Sequence, residues 1–460
     1  MLALSPAFAT ADTAVSREAS ASTDSAPQET VSSRRLVLCL DGTWNSDFDE
    51  TRTETGSYVL KPTNVLKLCR SVEASGQGGV PQIAYYLTGV GAVSRFPGFS
   101  NAAYYTMDRF LGGVWGAGFE NNVEAAVNFL AQNFEPGDEV FIFGFSRGAA
   151  TARGVTQFLN WAGGLPVKAD AYYLPLLFRE FIRVHGDGRA AGWLAGVNQQ
   201  RADEGLPALE TFNRIPVTYL GVWDTVMALG SRFEETGEKN ATDTRSFYVD
   251  EQPAEVVKHA RQALAIDERR YDFRPEVWLR ARQGQTMEQR WFPGVHSNVG
   301  GGYRYDGLAN GALRWVLAGA EEAGLGLNRS FLNHYRPYPQ DTLYNTYSRG
   351  AAVIDTLRFK RRAGVRRMDP YPGSANLAID PSVALRMISD PKARTEGGED
   401  LFPRMNGIAY RPDNLLEFLA CDASAQTPLA RLSAELRTDE QRLRLQELLA
   451  SERKRRCDGG

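Results

Sequence analysis

A serine between two glycines, Gly144-Phe145-Ser146-Arg147-Gly148, follows the apolar run Glu139-Val140-Phe141-Ile142-Phe143 and precedes a helical pattern reaching Trp161. A glycine-flanked serine carries little weight alone; its place between a buried strand and a helix is what matters. A strand-to-helix turn of that sharpness lifts the serine hydroxyl above the sheet edge, where it can act as a nucleophile. Gly144 and Gly148 let backbone approach backbone at such a turn. The helix start behind Ser146 favours negative charge in front of it. The N–H of Arg147, next after the nucleophile, is the expected first oxyanion donor.

Serine is a weak nucleophile without a base that an acid orients. The chain has four histidines. His185 lies in a polar loop, His259 in a stretch that reads as helix, and His334 in a part without chemical motifs. His296 stands in the glycine-dense Pro293-Gly294-Val295-His296-Ser297-Asn298-Val299-Gly300-Gly301-Gly302-Tyr303 after a strand pattern, and is the expected base. Asp224 ends the strand pattern of Leu220-Gly221-Val222-Trp223. A carboxylate buried among such neighbours requires a hydrogen-bonded or charged partner. Asp267, the rival, has arginines close by and reads as a helix-end salt bridge. The order Ser146, Asp224, His296 is that of the α/β-hydrolases.

Asp41-Gly42-Thr43-Trp44-Asn45 closes an early apolar strand. A haloacid-dehalogenase phosphatase would need an aspartate where this chain has Cys39, so that reading fails. In a hydrolase the loop after this strand supplies a second oxyanion N–H, and Gly42 or Thr43 fits. Gly112-Gly113-Val114-Trp115-Gly116-Ala117-Gly118 follows no strand and breaks the dinucleotide spacing. No metal or organic cofactor is needed.

Four motifs, Asp41–Asn45, Gly144–Ala149, Gly221–Val226 and Gly294–Tyr303, together resemble the catalytic domain of type VI secretion phospholipase effectors, over about residues 34 to 320. The resemblance implies an α/β-hydrolase fold and a lipase or esterase whose triad falls on Ser146, Asp224 and His296. It makes phospholipid the expected substrate. One departure is that the position two after the histidine, usually Asp in the family, is Asn298. Two other readings stand beside it: a carboxylesterase on short-chain or polymer esters, and a non-catalytic binding or scaffold protein on a hydrolase fold.

The elements that must position these residues follow from hydrophobic pattern. Leu36–Leu40, Gln82–Leu87, Glu139–Phe143, Val217–Trp223 and Gln289–Phe292 read as strands. A helix capped by Thr63 and another carrying Val123, Ala126, Val127, Leu130 and Phe134 alternate with them. Alternating strands and helices predict a mostly parallel sheet with helices on both faces. Residues 162–212 and 227–286 are expected as insertions capping the site, and 321–460 as a mostly helical extension packed on a catalytic domain of 34–320. Leu429, Leu432 and Leu436 share a helical face within 427–456.

Of 460 residues, 43% are hydrophobic and 23% charged, which excludes a mainly disordered chain. A formal net charge of -3 argues against bulk nucleic-acid binding. Arg358, Lys360, Arg361, Arg362, Arg366 and Arg367 form a local basic cluster, read mainly as a solvated loop and alternatively as a headgroup contact at a membrane surface. Cys39, Cys69, Cys421 and Cys457 show no C-x-x-C pair, so neither a disulfide scaffold nor a zinc site is expected. No run approaches 18 apolar residues. Residues 1–33 read as a disordered arm, and Met1–Ala9 ends like the tail of a secretory signal. A periplasmic or secreted location and a cytoplasmic one both remain open.

Overall fold

The run Leu36-Val37-Leu38-Cys39-Leu40 offers solvent no polar side chain, and every residue of strand β1 (Arg35–Leu40) is buried. In a computed structural model of the chain, residues 33–42, 50–52, 58–89, 115–184, 186, 188–212, 214–226, 250–270, 273–346, 366–368, 375–389 and 409–457 are described. Among them the strands continue with a short antiparallel pair, β2 (Glu50–Arg52) and β3 (Tyr58–Leu60), and then β4 (Gln82–Leu87). After these come β5 (Glu139–Phe145), β6 (Val217–Trp223), β7 (Val257–Ala265), β8 (Thr286–Phe292) and β9 (Leu377–Ile379). Seven of them form one parallel sheet in the order β4-β1-β5-β6-β7-β8-β9. This is an α/β-hydrolase architecture. Parallel strands buried on both faces need helices on both.

The helices are α1 (Asn64–Ser71), α2 (Trp115–Asn133), α3 (Arg147–Ala162), α4 (Leu174–Arg183), α5 (Ala191–Asp203), α6 (His296–Gly300), α7 (Gly307–Glu322) and α8 (Arg329–Leu332). Four more follow: α9 (Pro381–Ile388), α10 (Asp413–Cys421), α11 (Gln426–Glu435) and α12 (Asp439–Arg456). The Thr63 hydroxyl accepts from the Leu66 N–H, so the predicted cap of α1 is present.

Strand alternation sorts the core into two layers. Leu36, Leu38, Leu40, Val140 and Ile142 pack with Val123 and Leu130 of α2, Phe158 of α3 and Leu177 of α4. Val37, Cys39, Phe141, Phe143 and Tyr219 pack with Val65 of α1 and Leu313 and Val316 of α7. Each large apolar side chain so buried contributes about 1.5–3 kcal/mol. A third cluster joins Trp291 and Ile379 to Leu415, Leu432, Leu445 and Leu449 of the C-terminal helices.

Several of these expectations change. Residues 227–286 are not one capping insertion: Val257–Ala265 is a central strand between β6 and β8, and His259, expected in a helix, sits on it with Nδ1 2.6 Å from Thr286 Oγ1. Its Ala, Arg, Gln and Lys content favours helix locally, and burial between two neighbours overrides that preference. Residues after 320 do more than pack on the sheet, because β9 pairs with β8 and extends it. Cys421 and Cys457 are joined in a disulfide, so the cysteines include one clasp where none was expected. Cys39 and Cys69 are free thiols. The stretch 427–456 is two helices, broken at Leu436 and restarted by a Thr438–Gln441 capping box.

Candidate active site

Strand β5 delivers Ser146 to the sheet edge, and α3 begins at the next residue. Ser146 has φ 58° and ψ -122°, a conformation that L residues rarely adopt. Strain of that kind costs about 1–3 kcal/mol and persists only where the surroundings enforce it. The Ser146 N–H donates to Trp223 O at 3.0 Å, which binds the turn to the end of β6. A Cβ on Gly148 would stand 2.2 Å from Leu40 O and 2.3 Å from Asp41 O, and one on Gly144 would stand 2.3 Å from Gly148 O. Glycine at both positions lets the turn close against the end of β1.

Asp224, immediately after β6, also has a positive φ, 44°, and is fully buried. Its Oδ2 lies 2.6 Å from His296 Nδ1. The histidine opens α6, with its ring between Phe145 (centroids 4.7 Å apart) and the edge of Phe273 (4.9 Å). With Nδ1 donating to Asp224, Nε2 is the acceptor, and it is buried without a hydrogen-bond partner among the described residues. Ser146 and His296 are not hydrogen-bonded to each other. Contacts of this type commonly tighten only when substrate is bound. The rival carboxylate, Asp267, is engaged elsewhere: its Oδ2 accepts from the Gly294 N–H at 2.6 Å and the Tyr410 hydroxyl at 2.8 Å.

The Asp224 carboxylate has a second partner that the sequence did not reveal. Arg366 donates from Nη1 to Oδ1 at 2.6 Å and from Nη2 to Oδ2 at 2.9 Å. The Ala265 N–H adds a bond to Oδ1 at 3.0 Å. The sequence groups Arg366 with five basic neighbours as a solvated loop, and the structure corrects that for this residue, which is buried. Arg367 is exposed, and Arg358, Lys360, Arg361 and Arg362 lie outside the described residues. No local signal marks Arg366, because its partner is 142 residues away in sequence.

Burial alone would raise the Asp224 carboxyl, but the Arg366 charge and the His296 hydrogen bond more than offset it, holding it well below the usual carboxylate range. Burial lowers His296, against the opposing pull of Asp224, so the imidazole stays neutral below the ordinary histidine range. Glu268 was also missed. Its carboxylate accepts from the His296 N–H at 3.3 Å, from the Arg270 guanidinium and from the Thr346 hydroxyl. Burial opposes its ionisation, but the Arg270 charge brings it down to about 2.

Of the expected oxyanion donors, Arg147 occupies the first turn of α3. The Gly42 N–H donates to the carboxylate of Asp41 at 2.6 Å, and Thr43 lies outside the described residues. Asp41 Oδ2 also accepts from the Thr63 and Tyr86 hydroxyls at 2.7 and 2.6 Å. Asn298 is buried and bridges two loops: Oδ1 accepts from the Val295 and Tyr344 N–H groups, and Nδ2 donates to Thr342 O at 3.1 Å. His334 is exposed, and His185 lies outside the described residues. Among the described residues no helix is long and apolar enough to cross a membrane.

Residues 34–319 match the family described as "T6SS, Phospholipase effector Tle1-like, catalytic domain". A curated relative, "Uncharacterized protein YEL023C" of Saccharomyces cerevisiae, is 25% identical over 251 residues, 53% of this chain and 32% of its own length. The chain therefore spans about a third of that relative. Among solved structures, an uncharacterised protein from Pseudomonas aeruginosa is 17% identical with a TM-score of 0.40, over 91% of this chain and 62% of its own. The Tle1 effector bound to the VgrG spike of the type VI secretion system is 20% identical with a TM-score of 0.31, over 59% and 52%. Acyl-protein thioesterase 2 of Zea mays is 12% identical with a TM-score of 0.21, over 62% and 93%.

Proposed function

The chain belongs to the Tle1-like phospholipase effector catalytic-domain family, and from that premise we propose that it is a serine hydrolase of phospholipid acyl esters. The observation that carries this reading is the Asp224–His296 pair, 2.6 Å apart, beside a strained Ser146 at a strand-to-helix turn. Family membership supports the hydrolase class, and the phospholipid substrate is carried over from the family's description.

In the proposed reaction His296 Nε2 takes the Ser146 proton as Oγ attacks the acyl carbonyl. Asp224 holds the Nδ1–H tautomer and stabilises the imidazolium. The Arg147 N–H and an N–H from the loop after β1, at Gly42 or Thr43, steady the tetrahedral oxyanion, at about 3 kcal/mol per donor. For Gly42 to serve, its bond to Asp41 must open. The imidazolium protonates the leaving alkoxide, the acyl group stays on Oγ, and a water activated by His296 then releases the carboxylic acid. The proton count closes at each half-reaction.

The test is labelling by a fluorophosphonate probe together with mass-spectrometric measurement of fatty acid released from phospholipid vesicles. The wild type should label and release fatty acid. Ser146→Ala should not label and should lose release by about a thousandfold or more while staying folded. An unlabelled, inactive wild type refutes the reading. Turnover of a dispersed short-chain ester with none on vesicles would leave the hydrolase and remove the phospholipid assignment.

A further inference from the structure

We propose that Arg366 is a positioning residue for this hydrolysis, locking the Asp224 carboxylate towards His296 and keeping the buried base neutral. The inference rests on the serine-hydrolase reading. A carboxylate bonded only to the imidazole could rotate about its terminal torsion. Here both oxygens are held by the two ends of one planar guanidinium, at 2.6 and 2.9 Å, a bidentate geometry that fixes the carboxylate plane. The same two nitrogens donate to Ala265 O and Phe273 O, each at 2.6 Å, so the guanidinium is anchored to backbone on both sides. Asn414 of α10 ties the Arg366 carbonyl and the Ile266 carbonyl together through Nδ2, at 2.9 and 3.3 Å. Oδ2, held in that plane, is the atom that meets His296 Nδ1.

Charge gives the second half of the argument. Arg366, Asp224 and His296 are all buried. With a neutral imidazole they sum to zero, and a proton on His296 would leave a net positive charge away from water. Without Arg366 the neutral imidazole leaves a net negative charge, and protonation cancels it. Loss of the guanidinium therefore makes His296 take up a proton at higher pH. Among the described residues, the other charged groups around this cluster include Glu268, whose carboxylate meets the His296 N–H, Arg270, which pairs with Glu268, and Arg269 and Asp413, which line one small cavity with Arg366. Asp267 on the same loop faces Gly294 and Tyr410. All of these remain when Arg366 is replaced.

The test is hydrolysis of p-nitrophenyl butyrate by the full chain as a function of pH for the wild type, Arg366→Gln and Arg366→Lys. Thermal unfolding is recorded for each, with Ser146→Ala as the blank. Arg366→Gln should move the acid limb of kcat/KM upward by about one pH unit and lower kcat by about tenfold or more. Arg366→Lys keeps the charge but cannot span both oxygens, so its acid limb should stay in place while kcat falls by roughly three- to tenfold. A purely structural arginine would lower the unfolding temperature and the active fraction without moving the limb. An unmoved limb in folded Arg366→Gln overturns the inference while the hydrolase reading stands. If that variant does not fold, Arg366→Lys decides on kcat per active site titrated with the fluorophosphonate probe: a reduced value with the limb in place supports the inference, and a wild-type value overturns it. A wild type no faster than Ser146→Ala overturns both.

Discussion

At the residue scale, two buried groups set how the site responds to acid. His296 lies below the ordinary histidine range because burial penalises its charged form. A reaction that needs the neutral imidazole should therefore keep its kcat/KM on acidification until below about pH 6.5, the ordinary histidine value. A pH–rate profile checks this, and an acid limb clearly above that value would contradict it. Stability falls in the same direction. The unfolded histidine protonates before the folded one, so the folded state loses stability as pH drops below the unfolded value. Asp224 adds to this at lower pH. Its folded carboxyl is depressed by Arg366 and His296 against the cost of burial, so its contribution is present above the unfolded carboxylate range and is lost as pH falls towards the folded one.

At the element scale, short polar side chains hold the site loops to one another. Asn298 of α6 is the clearest case, since it both accepts from two N–H groups and donates to Thr342 O. An aspartate at this position accepts but cannot donate, and would turn a carboxylate oxygen towards that carbonyl. Asn298→Asp should therefore destabilise the protein by about 1–3 kcal/mol, the cost of an unmet buried polar contact. Thermal unfolding measures it, and an unchanged transition would show that the loops adapt. Beneath the same edge, Gln262 and Gln289 bond to each other from β7 and β8. Gln289 also reaches Trp278 and the Ala375 carbonyl. These amides fix the register of strands whose apolar content alone would not.

At the scale of the whole molecule, residues after the matched family segment complete the architecture around the site. They supply β9, Arg366 and the helices α9 to α12, and the Cys421–Cys457 disulfide joins the ends of α10 and α12. A loop with a sequence separation of 36 loses unfolded-state entropy worth about 3–4 kcal/mol when closed. Reduction should lower the thermal midpoint of unfolding, measured with and without reducing agent, and an unshifted midpoint would mean the clasp adds nothing. Disulfides persist in oxidising compartments and are reduced in the cytosol, so this contribution depends on where the protein resides.

How much of this was legible follows from how local each signal is. The five predicted strands, the capped α1 and the turn at Ser146 rest on neighbours within a few residues: an apolar run, a threonine before a helix, glycines around a serine. The order Ser146, Asp224, His296 lies in the sequence itself. Strand β7 was not legible because its alanines, glutamine and arginine prefer helix until two neighbouring strands bury them. Strand β9 is three residues long and exists through its pairing with β8. Which of Asp224 and Asp267 lies against His296 is a matter of distance in the fold, and it is Asp224. Arg366 was read with a basic surface stretch because a charge shows nothing of its partner along the chain. Only folding, which brings it against a carboxylate 142 residues earlier, turned a solvated cation into the buried counter-charge of the candidate site.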